Sequence, residues 1–216
     1  MKHSITPLMF AMIVLIAGTA GADPPVPAES ADLESFVLEN LELQSGTGVT
    51  VLPLTTEAGA DLYFFVTSNP NEFPRRGLLR ADDHGYSITL DEPDDCYCTS
   101  IRAEVIDLVP LYGPFVVTRF SPMTGACVGL DAVRILAVRD DSLVEVWRGA
   151  TFQASGTESE LSTIDFVNLD SDPELEIDQH GTVISCGEDC LCREGEVLEE
   201  FRYRFDWDAA AQRFVP

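Results

Sequence analysis

Asn168, Asp170 and Asp172 recur at alternate positions of the stretch Asp165 to Asp178, which reads DFVNLDSDPELEID, and Glu174 and Glu176 continue the series. Oxygen ligands spaced in this way along a tight turn converge. An oxygen-only set rich in carboxylates is what a hard cation such as Ca2+ takes. Asn168, Asp170 and Asp172 would supply the first ligands, and Glu174 or Glu176 would close the set. The competing reading is a solvated acidic turn, because Asp and Asn favour turns without any ion. The apolar residues on both sides make the stretch strand, turn, strand.

The second group with chemistry is the six cysteines, Cys96, Cys98, Cys127, Cys186, Cys190 and Cys192. An even number in an exported chain implies a disulfide framework, whose connectivity spacing alone does not give. The rival reading is a thiolate metal site built on CYC and CLC. Only Cys186 and Cys190 have the usual zinc-ligand spacing, and His84 and His180 are not grouped near a second pair. Three disulfides and no free thiol are expected. Cys96 and Cys98, two residues apart in one extended segment, are not expected to pair with each other. Cys127 is assigned to one of them, and at least one bond should fall within Cys186, Cys190 and Cys192.

Catalytic signals are sparse. The sequence has no G-x-S-x-G elbow, no H-E-x-x-H and no phosphate-binding glycine loop. His84 falls in an expected hairpin turn and His180 precedes a glycine, so neither reads as a general base. A carboxylate pair doing hydrolase chemistry remains the alternative, but 37 acidic residues single out no pair.

The chain around these groups begins with an export signal. Lys2 and His3, the apolar run Leu8 to Ala17 and the small residues Ala20-Gly21-Ala22 form a secretory signal over residues 1–22. The apolar run is short for a membrane span, and no later stretch is longer. The expected product is soluble and secreted or periplasmic. Lys2 is the only lysine, so removing the signal leaves 37 acidic residues against 12 arginines, a formal charge of −25. Such a surface disfavours nucleic acid and suits divalent cations or basic partners, although solubility alone also explains it.

Residues 23–32, rich in proline and small side chains, read as a flexible leader, and 33–216 as a single all-β domain. Leu33 to Leu43 fits either a short helix or an entering strand. Strands are expected at Val49 to Leu54, Leu62 to Thr67, Gly77 to Ala81, Tyr86 to Leu90, Ile101 to Val109, Phe115 to Phe120, Ala132 to Arg139 and Leu143 to Arg148. Gly85 should adopt positive φ in one hairpin, and Asp140-Asp141-Ser142 turns another. Ala150 to Glu160 is polar and reads as a loop, and Gly181 to Glu196 as a cross-linked loop. Phe201 to Trp207, FRYRFDW, alternates aromatic and polar side chains, so Phe201, Tyr203, Phe205 and Trp207 should share a buried face.

Two units near 101–148 and 161–216 are weakly similar: AEVIDLVPLYGPFVVTRF from Ala103 against STIDFVNLDSDPELEIDQ from Ser162. Chance similarity between β-hairpins is the competing account. The acidic turn and the closing YRFDWDAAAQRF resemble the FG-GAP and VCBS-type β-repeats, whose turns run roughly D-x-D-x-D-G-x-x-E/D between two strands. Asn168 stands where that pattern often has Asp, and Pro173 stands where it has Gly. The resemblance implies antiparallel, propeller-blade-like or sandwich-like repeats with disulfide-linked loops. It also implies Ca2+ at the acidic turn and a non-enzymatic binding or structural role towards a protein or glycan partner. Oligomeric state is open.

Overall fold

The computed structural model describes residues 30–54, 62–82, 85–94, 98–122, 128–187 and 191–216. Among the described residues one α-helix, α1 (Ser30–Asn40), precedes twelve antiparallel strands, with a single 3-10 turn at Pro110–Tyr112, so the fold is all-β. Strands β1 (Gly48–Leu54), β2 (Leu62–Ser68), β3 (Arg75–Asp82) and β4 (Gly85–Pro93) form one sheet in chain order. The remaining strands are β5 (Cys98–Ile106), β6 (Phe115–Pro122), β7 (Val128–Arg139), β8 (Ser142–Ser155), β9 (Glu158–Val167), β10 (Glu176–Ser185), β11 (Glu196–Asp208) and β12 (Arg213–Val215). They form an eight-stranded sheet, also in chain order. Within each sheet every strand lies beside its neighbours in sequence, the arrangement that short connections favour.

Packing divides the molecule into layers. Helix α1 sets Leu33 and Val37 against Phe65 of β2 and Leu79 of β3. The opposite face of that sheet sets Phe64, Val66 and Leu78 against Val116 of β6 and Leu136 of β7. β2 is therefore buried on both faces, which is why LYFFVT reads as an unbroken apolar run. The far face of β6 and β7 carries Phe115, Val117, Val133 and Ile135, which pack with Ile164, Ile177 and Phe214 from β9, β10 and β12. The eight-stranded sheet thus folds back on itself, and rings meet across the fold: Phe115 with Trp207 at 5.6 Å and Trp147 with Phe205 at 5.5 Å. Each Phe or Leu fully buried in this way contributes about 1.5–3 kcal/mol.

Helix α1 resolves the ambiguity at Leu33 to Leu43. It begins at Ser30, within the stretch read as leader, and ends with Glu42 at φ 50° and Leu43 N–H bonded to Leu38 O at 3.3 Å. Gly85 has φ 122°, and Asp140 and Asp141 have φ 46° and 59°, as tight hairpins require. Residues 1–29, which hold the expected signal and most of the expected leader, lie outside the described residues, as does His84.

Three expectations need correction. Ala150 to Glu160 is not a loop: β8 runs on to Ser155 and β9 starts at Glu158, with a tight turn at Gly156. Its polar composition reflects exposed positions alternating with the buried Phe152 and Ala154. Likewise β10 continues to Ser185, so the cross-linked loop begins only at Cys186. The four aromatics of β11 do not share a buried face either. Phe205 and Trp207 pack on the core, whereas Phe201 and Tyr203 stack on each other at 5.3 Å and Tyr203 is 52 % exposed.

Candidate metal centre at the β9–β10 turn

The turn between Val167 and Glu176, which face each other across the strand pair, is built by side chains that bond its own backbone. Asn168 Oδ1 accepts from Ser171 N–H at 2.7 Å, and its Nδ2 donates to the carbonyls of Asp172 and Glu174. Asp170 Oδ1 accepts from Asp172 N–H at 3.1 Å, and Asp172 Oδ1 from Glu174 N–H at 2.8 Å. Glu176 Oε2 accepts from Leu169 N–H at 2.6 Å. These bonds let Ser171 hold φ 76°, and they explain why Asn, Asp and Ser crowd this stretch.

Of the five candidate ligands, Asp170, Asp172 and Glu176 come together, each offering a carboxylate oxygen within 4.8 Å of the others. Two oxygens on one Ca2+ at about 2.4 Å lie at most about 4.8 Å apart, so the group is within calcium reach. Glu176 is buried while both aspartates are exposed, so the cluster has one fixed wall and one open side. Asn168 is not part of this carboxylate group; its amide oxygen is held by the Ser171 N–H. Glu174 is a neighbour. Desolvation, then the charges of Asp172, Asp170 and Glu176, hold its carboxyl above the usual range. A divalent cation would relieve that repulsion.

The turn is anchored to the rest of the fold. Leu175 N–H donates to Leu108 O at 2.8 Å, in the segment joining β5 to β6, and Leu108 and Val109 are fully buried there. The β5–β6 connection and the acid-rich β9–β10 turn therefore touch.

A second polar group, which the sequence reading did not single out, lies on β10 and β11. Asp178 is 4 % exposed and receives a two-point fork from Arg202, Nε to Oδ1 at 2.7 Å and Nη2 to Oδ2 at 2.5 Å. Arg202 holds the Asp178 carboxyl below its usual range, mainly by these bonds, against an opposing desolvation and with help from its own charge, His180 and Arg204. His180 Nδ1 sits 3.8 Å from Asp178 Oδ2 and, among the described residues, has no hydrogen-bond partner. A groove of about 590 Å³ beside it is lined by His180, Gly181, Thr182, Glu200, Phe201 and Arg202. Histidine and acid are present there, but no nucleophile is aligned with them. Only the alternation in FRYRFDW hinted at Arg202; its partner is set by the β10–β11 register, Asp178 lying beside Arg204 and one step from Arg202.

Cys186 and Cys192 form a disulfide with Cα atoms 5.5 Å apart, which places a bond within the last three cysteines as expected and removes Cys186 from a thiolate metal pair. Ser159 Oγ lies 3.1 Å from Cys186 Sγ beneath it. Cys98 is also disulfide-bonded, and no described cysteine is free. Cys96, Cys127 and Cys190, and with them the assignment of Cys127, lie outside the described residues. Among the described residues no helix is long and apolar enough to cross a membrane. In comparisons with known proteins the chain matches no family model, no curated protein and no solved structure.

Proposed function

We propose that this chain is an exported, non-enzymatic β-domain of binding or structural type, that it takes Ca2+ at the β9–β10 turn through Asp170, Asp172 and Glu176, and that it serves a protein or glycan partner. The observation that carries the ion is the convergence of three carboxylates within 4.8 Å, one of them buried. The turn's likeness to the FG-GAP and VCBS pattern supports the same reading. Export rests on the signal over residues 1–22, and the Cys186–Cys192 bond is compatible with an oxidising compartment. Ca2+ here would neutralise the repulsion felt by Glu174 and stiffen the turn where the two units of the eight-stranded sheet touch.

The test is thermal stability against added Ca2+ at matched ionic strength. Binding to the folded state adds RT ln(1 + [L]/Kd), about 2.7 kcal/mol at a hundredfold excess over Kd. The melting temperature should rise with millimolar Ca2+, rise less with Mg2+, and return with chelator. Asp170→Asn combined with Asp172→Asn should abolish that rise. An equal Ca2+ response in wild type and double variant would overturn the site and assign the effect to screening of the acidic surface.

A further inference from the structure

Strand β11 is paired on one side only along most of its length. From Glu196 to Phe205 it bonds to β10, whereas β12 covers its other edge only over Asp206 to Asp208. Among the described residues nothing pairs with that second edge of Glu196 to Phe205. A free edge presents a row of backbone N–H and C=O groups to any strand of fitting register, and proteins commonly blunt it with charged side chains, especially lysine, with proline or with a bulge. This edge contains neither lysine nor proline, and its one interruption is a bulge at Leu198, where Val183 pairs with Glu199 and Ile184 with Val197. Phe201 and Tyr203 stack along it.

Its charges are ordered. Glu196, Glu199 and Glu200 occupy the first half, Arg202 and Arg204 the second. An antiparallel copy of the same strand reverses that order. We propose that the free edge of β11 pairs antiparallel with the same edge of a second copy of this chain, about a two-fold axis at Phe201. Glu200 then faces the partner's Arg202, and the reciprocal pair forms by symmetry. Glu199 faces the partner's Tyr203, and Phe201 meets the partner's Phe201.

The register is selected by charge. A shift of two residues in one direction sets Glu200 against Glu200, and in the other Arg202 against Arg202, like charges directly opposite. A shift of one residue sets the inner face of one copy beside the outer face of the other. The pairing extends no further than Phe205, since β12 occupies the edge from Asp206. Arg202 uses Nε and Nη2 on Asp178, and the guanidinium has further N–H groups for the partner's Glu200. The net negative charge opposes association over long range, but at about 0.15 M salt it is screened beyond about 8 Å, while the pairs at the edge are in contact. The proposal is independent of the calcium reading.

Analytical ultracentrifugation of the purified chain at about 0.15 M salt tests it. The expected result is a reversible monomer–dimer equilibrium. Glu200→Arg, at an exposed position, places like charges together at both symmetry-related pairs and should raise the dimer dissociation constant about tenfold. Phe201→Cys should cross-link to its own copy under mild oxidation, because opposed Cβ atoms in an antiparallel pair lie about 4.5–5.5 Å apart. Thr163→Cys, exposed on β9 two strands away, should not. A wild-type chain still monomeric at about 0.2 mM overturns the proposal. So does a dimer that ignores Glu200→Arg and fails to cross-link through position 201, which would put the interface, or a different occupant of this edge, elsewhere in the biology of the chain. The wild-type sedimentation and the cysteine pair decide the matter even if Glu200→Arg fails to fold.

Discussion

Replacing Asp94 by Asn removes a counter-charge from a guanidinium that has no access to water. Arg134 projects from β7 into the space between the two sheets, and its side chain and that of Asp94 are both fully buried. Asp94, just after β4, receives a bond from Arg134 Nη2, and Arg76 Nη1 lies 3.7 Å from the same carboxylate. Arg134 also touches the Thr118 hydroxyl at 3.4 Å and lies over the Phe120 ring at 5.0 Å, contacts that orient it. Breaking such a pair from one side costs about 3–5 kcal/mol, and the second cation near the same carboxylate places Asp94→Asn towards the upper end. With a urea m-value near 2 kcal/mol/M, the midpoint of unfolding should fall by about 2 M with disulfides intact. Arg134→Met added to Asp94→Asn should cost less than the two single changes together, because the two side chains share one buried ion pair. A midpoint shift below about 0.5 M for Asp94→Asn would refute the reasoning, since it would mean that water or another acid reaches the guanidinium.

Two further predictions follow from β10. The Asp178 carboxyl is held below its usual range in the folded state, so its contribution is complete above about pH 4 and is lost as pH falls through the lowered folded value. Asp178→Asn should therefore flatten the acid limb of a stability–pH profile, and an unchanged acid limb would contradict the Arg202 fork. Gly181 lies against β9 so closely that an added Cβ would sit 1.9 Å from Leu161 O and 2.7 Å from Ser162 Cα. Gly181→Ala should cost about 1–3 kcal/mol in urea unfolding, whereas a neutral result would show that the β9–β10 pair can spread without loss.

The sequence by itself determined what depends on neighbours along the chain. The alternation of FRYRFDW and the unbroken run LYFFVT specify strands because side-chain period and burial on two faces are local patterns. Gly85 and Asp140-Asp141 specify their hairpins because positive φ is a property of single residues. The acidic turn was legible for the same reason: Asn168, Asp170 and Asp172 close it on backbone groups no more than a few residues away. Tertiary structure decided everything that depends on which strand lies beside or above another. It brought Glu176 rather than Glu174 into the carboxylate group, joined Asp94 to Arg134 across forty residues, and matched Arg202 to Asp178. It also left Tyr203 in water while Phe205, two residues on, is packed against Trp147. The same alternating pattern serves a covered and an uncovered stretch of one strand equally well. Where the opposing half of the folded sheet ends is set by long-range packing, and no local spacing encodes it.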